Sequence, residues 1–205
     1  MNSAKTYFVT AIHTDSGKTL SSAIIATALQ ADYWKPIQSG LPKDATTIQE
    51  LVSYPIQIHR SAYEFRKPAS PHDAAEAENC LIDLNHIQVP QTENHLVVEG
   101  AGGILVPLNA EHFVIDIAQK FGMEIILVIN IYLGCINHSL LSIQELKRRS
   151  LSVKGIIFNG ERNKATEDII LHYSGYPCLL RIEQENKIDK DLVESYAQKI
   201  RANIA

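Results

Sequence analysis

Apolar and polar positions along this 205-residue chain fall into a repeating order. Short runs of β-branched and aromatic residues alternate with longer stretches whose apolar positions recur at helical spacing. That order predicts βα units around a mainly parallel sheet, an α/β fold with helices on both faces. Strands are expected over residues 6–11, 33–37, 95–99, 125–129, 153–158 and 178–182, and helices over 18–30, 45–53, 113–121, 138–149, 166–172 and 189–201. In the last helix Leu192, Val193, Tyr196 and Ile200 share one face, as packing on a sheet requires. Leu96-Val97-Val98 and Ile125-Ile126-Leu127-Val128-Ile129 are apolar without interruption, the pattern of strands covered on both sides. Residues 55–92 lack a clear period, are punctuated by Pro68, Pro71 and Pro90, and carry one short expected helix near 73–79. Neither an internal repeat nor a Gly/Ser-rich linker interrupts the order, so one domain over 1–205 is expected.

Composition acts mainly by exclusion. With 45% hydrophobic and 20% charged residues the chain is ordinary globular protein, and its length allows one substantial core. Nineteen Lys and Arg against 23 Asp and Glu leave a net charge of -4, which argues against a nucleic-acid partner while permitting a local basic pocket. The most apolar stretch, 123–136, is broken by Glu124 and Asn130 and is shorter than the ~20 residues of a membrane span. Residues 1–6 are polar and lead straight into Tyr7-Phe8-Val9, so neither a secretory leader nor a membrane anchor is expected. Cys80, Cys135 and Cys178 are odd in number and widely spaced, which suits a reducing cytoplasm better than a disulfide framework.

The chemistry starts after the first expected strand. Ile12-His13-Thr14-Asp15-Ser16-Gly17-Lys18-Thr19 leads directly into a helical stretch. A strand, a loop ending in Gly-Lys-Thr and a helix form the setting in which backbone N–H groups cradle phosphates; Lys18 then reaches the terminal phosphates and the Thr19 hydroxyl meets magnesium. Ile12 stands where the usual pattern has its first glycine, so the tripeptide alone leaves a plainer reading open: a helix start capped by Thr14 or Ser16. Two further segments bear on the choice. Lys35-Pro36-Ile37-Gln38-Ser39-Gly40 follows the first helix with Asp44 just beyond, and Glu99-Gly100-Ala101-Gly102-Gly103 leaves the third apolar run. Carboxylates at strand carboxyl ends are where α/β sheets hold ligands, and Thr19, Asp44 and Glu99 make an oxygen-only set suited to Mg2+. The plainer alternatives are a solvated Lys35, a turn-capping Glu99 and Asp44 as a helix N-cap.

Taken together, these segments resemble the dethiobiotin synthetase family, P-loop NTPase-like enzymes that use ATP to close a cyclic urea from 7,8-diaminononanoate and carbon dioxide. The family loop, G-T-x-T-x-x-G-K-T, is matched by residues 11–19 with Ala11 for its first glycine. Its K-P-x-x-S-G is Lys35 to Gly40 here, S-P-H is Ser70-Pro71-His72, V-E-G-A-G-G is Val98 to Gly103, and L-G-x-x-N-H is Leu133-Gly134-Cys135-Ile136-Asn137-His138. The resemblance implies catalysis by Lys35 and Lys18. It gives the ATP phosphates to Asp15, Ser16, Gly17, Lys18, Thr19 and Leu20, with Gly100, Ala101 and Gly102 close to the ligand. Magnesium is implied on Thr19, Asp44 and Glu99, and the substrate on Ser39. Leu133, Gly134, Cys135, Ile136 and Asn137 are implied to receive the substrate carboxylate from a neighbouring subunit, hence a homodimer. Asn159 is implied to read the adenine edge, with Gly160 where an acidic residue is frequent.

Other readings stay open on residues alone. A partition-type switch ATPase shares the sheet, but its second lysine, early in the loop, has no counterpart in Ala11-Ile12-His13. A related ATP-dependent synthase, or a non-catalytic paralogue, is consistent with Ala11 and with Arg181-Ile182-Glu183-Gln184, where the family commonly has G-x-I-P. Cys135 reads as a small buried residue rather than a nucleophile, and His72 and His138 as packing or hydrogen-bonding residues.

Overall fold

The apolar runs become the strands of one parallel sheet. The computed structural model describes residues 4–204, so the first three residues of the polar start lie outside it. In chain order the elements are β1 (Thr6–Ala11), α1 (Lys18–Leu29), β2 (Asp32–Trp34), β3 (Ile37–Ser39), α2 (Asp44–Leu51), β4 (Ile58–His59), β5 (Tyr63–Phe65) and α3 (Pro71–Ala77). After a 3-10 turn at Leu84–His86 come β6 (Leu96–Gly103), α4 (Ile115–Phe121), β7 (Glu124–Asn130), α5 (Cys135–Arg148), β8 (Val153–Asn159), α6 (Lys164–Ser174), β9 (Cys178–Ile182) and α7 (Lys190–Ile204). The main sheet runs β4-β2-β6-β1-β7-β8-β9, all pairs parallel, and β3 pairs with β5 in a separate two-stranded ribbon.

Alternation along the central strands sends side chains to two cores. Phe8, Val98, Ile125, Leu127 and Ile129 face the layer containing α4 and α5, while Tyr7, Val9, Val97, Ile126 and Val128 face α1 and α7. Each fully buried aliphatic side chain contributes about 1.5–3 kcal/mol, and a carboxylate at Ile126 would strand a charge between sheet and helices. The Tyr7 hydroxyl donates to the Ile204 carbonyl (2.9 Å), tying the last turn of α7 to the first strand.

Several expected boundaries change. The single strand over 33–37 is two strands in different sheets, because Pro36 lacks the N–H a central ladder needs and the chain leaves the main sheet there. The strand expected to end at Glu99 continues to Gly103, with a register shift against β1 between Val9 and Ala11. The run from Gly100 to Gly103 is therefore strand rather than turn. The fifth helix starts at Cys135, three residues before the expected 138, behind Gly134 at φ 105°. Short β4 and β5 were invisible to periodicity because two or three residues carry no period.

Candidate active site

All the sheet strands end on one edge, and the phosphate loop crosses the middle of that edge from β1 to α1. Asp15 (φ 59°) and Gly17 (φ 90°) both adopt left-handed backbone. At Gly17 this needs glycine, since a Cβ would lie 2.3 Å from Asn159 Nδ2. The loop is braced from the neighbouring strands: Ser16 Oγ donates to Asn130 Oδ1 (2.8 Å) at the end of β7, with the His13 carbonyl also in reach (2.9 Å). Asn159, ending β8, donates through Nδ2 to the Ser16 carbonyl (3.0 Å). Neither Thr14 nor Ser16 caps α1; its N-cap is Gly17, with no side-chain cap. The first N–H groups of the helix stay available to an anion.

Beside the loop four functional side chains converge. Thr19 Oγ1 lies 2.9 Å from Asp44 Oδ1 and 3.0 Å from Glu99 Oε1. Lys35 Nζ reaches Asp44 Oδ2 at 2.7 Å and Glu99 Oε1 at 3.0 Å. Glu99 is 1% exposed and Lys35 6%, so this is a buried charge cluster. The other Glu99 oxygen accepts from the Tyr33 hydroxyl (3.0 Å). Burial works against the charge on Lys35, but Glu99 and Asp44 outweigh it and hold the ammonium above its ordinary pKa. Burial likewise opposes ionisation of Asp44, and Lys35 and the Thr19 hydroxyl overcome it, so its carboxyl sits below the usual value. Lys18, which has only the His13 carbonyl at 3.4 Å, is pushed down, chiefly by burial. Asp44 opens α2 without capping it; its own N–H donates to Gln38 Oε1 (3.1 Å). The solvated-lysine and N-cap readings of Lys35 and Asp44 therefore do not apply.

These groups line a cleft of ≈ 760 Å³ with Asp15, Gly17, Lys18, Leu20, Ser39, Ala101 and Gly102. Ser39 Oγ is buried without a hydrogen-bond partner, an orphan facing the cleft and the sort of group a polar ligand would satisfy. Its far wall is residues 68–71, and a Cβ at Gly40 would strike Pro68 at 2.8 Å, so glycine is what lets that wall close. The donor set fits magnesium. Thr19, Asp44 and Glu99 bring hard oxygens together, and among the described residues no cluster of three His, Cys, Asp or Glu side chains offers a metal a competing site.

Several expected site residues lie elsewhere. Gly100 is not among the residues lining the cleft, and a side chain there would press on Phe8 and Val114. Leu133, Gly134, Ile136 and Asn137 line a separate cleft of ≈ 830 Å³ with Tyr132, Glu161 and Arg162, on the other side of the phosphate loop. Cys135 is buried, as expected of a small core residue. Asn159 and Gly160 also stand outside the central cleft, the first holding the loop and the second giving its carbonyl to Arg181 Nη2 (2.7 Å). His138 pairs with the Tyr132 hydroxyl and His72 with Ser70 Oγ (3.1 Å), in keeping with hydrogen-bonding roles. Tyr33, Gln38 and Asn130 were not anticipated. Gln38 lies inside the Lys35-to-Gly40 segment and so carried a signal, whereas Tyr33 and Asn130 look like ordinary strand residues until the sheet order brings them beside Glu99 and Ser16.

Comparison with known proteins agrees with this geometry. Residues 5–191 match the family described as AAA domain. Among solved structures, a ParA family ATPase from Chlorobium tepidum superposes with a TM-score of 0.58 at 14% identity, covering 97% of this chain and 99% of that one. A putative plasmid partition protein from Borrelia burgdorferi gives 0.61 at 12% identity, covering 98% of each. At such identities the likeness speaks to the P-loop fold alone. The curated relatives are much nearer in sequence: an ATP-dependent dethiobiotin synthetase from Cytophaga hutchinsonii is 54% identical over 97% of this chain and 98% of its own. Another from Christiangramia forsetii is 43% identical over 98% of both. With identity of this order along nearly the whole length, the chain belongs to the ATP-dependent dethiobiotin synthetase family.

Proposed function

We propose that the chain is an ATP-dependent cyclo-ligase that forms dethiobiotin, ADP and phosphate from 7,8-diaminononanoate, carbon dioxide and ATP in biotin biosynthesis. The observation that carries this reading is the cleft at the end of β1, β2 and β6, where Lys18, Lys35 and the orphan Ser39 hydroxyl meet the Thr19-Asp44-Glu99 oxygens. It holds cations and hydrogen-bonding groups but neither a Cys nor a His. The chemistry it suits is positioning and charge neutralisation rather than attack by a protein nucleophile.

One substrate amine attacks carbon dioxide and loses a proton, giving a carbamate. A carbamate oxygen then attacks the γ-phosphorus of ATP as the bond to ADP breaks. The second amine attacks the carbamoyl carbon, phosphate leaves, and the urea ring closes. Negative charge gathers on the same few oxygens throughout. Lys18 and Lys35 neutralise it from two directions, and lysine suits the task because a flexible point charge can follow oxygens that change owner. Ser39 hydrogen-bonds the carbamate or its amine. Thr19, Asp44 and Glu99 would hold Mg2+, which would supply charge neutralisation to the phosphates of ATP. The phosphate loop from Asp15 to Leu20 binds and orients the ATP.

The substrate carboxylate lies a long aliphatic chain away from the reacting amines and calls for an anion receptor of its own. Residues 133–137 open the 14-residue helix α5, whose first N–H groups suit a carboxylate. Leu133 is fully exposed there, and Ile136, Leu141 and Leu105 are exposed close by. We read this patch as a homodimer surface that carries the receptor to the partner's cleft, within one 1–205 domain per chain. The three free cysteines and the absence of a membrane-crossing helix among the described residues support a cytoplasmic setting.

The test is direct. Purified protein with diaminononanoate, bicarbonate, Mg2+ and ATP is expected to yield dethiobiotin by mass spectrometry. ATP turnover indifferent to the diamine, with no product, would overturn the proposal.

A further inference from the structure

The carboxylate oxygens proposed for magnesium are already paired with a cation of the chain itself. Lys35 Nζ lies 2.7 Å from Asp44 Oδ2 and 3.0 Å from Glu99 Oε1. Glu99 Oε1 also stands 3.0 Å from Thr19 Oγ1, and Glu99 Oε2 accepts from the Tyr33 hydroxyl at 3.0 Å. A carboxylate oxygen offers about two lone-pair sites; on Oε1 the ammonium takes one and the Thr19 hydroxyl faces the other. A divalent ion drawn to these side chains therefore arrives where the ammonium is bound.

Charge sharpens the contest. Lys35 and Glu99 are buried, so solvent and salt screen them little. Two carboxylates and one ammonium leave the cluster with a single negative charge. A bare divalent ion added to it leaves a positive one instead, in a cleft that Lys18 also lines. The phosphates of a nucleotide reverse that sign and offer the ammonium other oxygens. Lys35 follows Trp34 at the end of β2, and its flexible four-carbon stem lets Nζ leave the carboxylates while the backbone stays in place. We infer that Lys35 is a specificity-determining residue for the metal species: its tethered ammonium competes for the Asp44 and Glu99 oxygens, keeps out free divalent ions, and yields to an ion that comes with nucleotide phosphates. The same exchange turns the ammonium toward the transferring oxygens, so loading of the site and release of Lys35 for catalysis are one event. This rests on the proposed reading that Thr19, Asp44 and Glu99 take the metal.

Mn2+ is the probe, a hard divalent ion suited to the same oxygens whose free concentration is read by electron paramagnetic resonance. The full chain is titrated with Mn2+ alone, without nucleotide, diamine or carbon dioxide. Lys35→Met is expected to bind Mn2+ at least about tenfold more tightly than the wild type, because a repelling charge is gone from the site. Adding Glu99→Gln to that variant should remove the gain, which places the ion in this cluster. Lys35→Arg keeps the charge and should stay within about threefold of the wild type. Lys35→Gln takes the place of the methionine variant if that one does not fold. The gain has a second readout: a fixed Mn2+ concentration should raise the melting temperature of Lys35→Met more than that of the wild type. A merely structural lysine would lower the melting temperature on substitution and leave Mn2+ affinity alone. A gain below tenfold in the neutral variants, one that survives Glu99→Gln, or an equal gain in Lys35→Arg overturns the inference. Glu99→Gln in the otherwise wild-type chain separates the two readings. If it leaves the Mg2+ requirement of ATP binding unchanged, the assignment of the metal ligands fails and takes the inference with it; if it raises that requirement while Lys35→Met gains nothing, the inference alone fails. Loss of dethiobiotin synthesis with the Mn2+ pattern intact defeats only the proposed reaction.

Discussion

Lys35→Met is the sharpest probe of the buried charge cluster. Methionine keeps most of the side-chain volume and removes the ammonium, so the change is chiefly electrostatic. Lys35 holds Asp44 at 2.7 Å and Glu99 at 3.0 Å. Asp44 has 31% of its side chain exposed and can recover water, whereas Glu99 has 1% and keeps only the Tyr33 and Thr19 hydroxyls. Removing one partner of a buried pair costs about 3–5 kcal/mol. With Glu99 still doubly hydrogen-bonded, the lower end applies, about 3 kcal/mol. For a chain of this size that corresponds to a melting temperature lower by roughly 6–12 °C. The assay is thermal unfolding of the wild type, Lys35→Met, Glu99→Gln and the double variant. Because Glu99→Gln removes the stranded charge, the double variant should recover about 1 kcal/mol or more relative to Lys35→Met. In the dethiobiotin assay Lys35→Met should lose at least about 100-fold in kcat while ATP affinity stays within about threefold, the signature of a group acting on transferring charge. A loss under about 1 kcal/mol with additive double-variant energies would refute the claim that this is a coupled buried cluster.

Four further outcomes follow from other parts of the molecule. Tyr33→Phe removes the hydroxyl on Glu99 Oε2, costs about 1.5–3 kcal/mol, and should raise the magnesium concentration needed for nucleotide binding, read by calorimetry across a metal series. Gly17→Ala should abolish ATP binding by direct titration, and pairing it with Asn159→Ala should not restore it, because the φ of 90° remains even when the 2.3 Å clash is gone. Asp32 is held below its ordinary 3.8: burial opposes this, but hydrogen bonds from Thr92, His59 and Asn94 prevail. A depressed carboxyl contributes stability above its unfolded value and loses it as pH falls through the folded one, so the stability gap to Asp32→Asn should be present above about pH 4 and close as pH falls toward and below 3 in denaturant titrations. Leu133→Asp should give a monomer by analytical ultracentrifugation and lower dethiobiotin synthesis without weakening ATP binding.

The reaction centre was more legible in the sequence than the walls around it. Lys18, Lys35 and Asp44 each sit at a helix start or just past a strand, positions that motif spacing marks, and with Glu99 they all line one cleft. Gly100 shared the same motif yet turned inward, because β6 continues as strand past Glu99 and alternation decides which residues face the ligand. Tyr33 and Asn130 gave no local sign: each matters through a neighbour 66 or 114 residues away, and only the order β2-β6-β1-β7 creates those pairs. The split at Pro36 was written in the sequence, since proline cannot donate in a central ladder, but the β-rich run on either side masked it.

The two amide side chains under the phosphate loop alter when its ordering has to be met. Asn130 and Asn159 fasten the buried Ser16 to the ends of β7 and β8 from inside the protein. The left-handed backbone of the loop, which costs energy at Asp15 though not at Gly17, is thus braced by side chains of the fold itself. ATP meets a receptor already shaped for it, and its binding energy is left for aligning the γ-phosphorus with the carbamate.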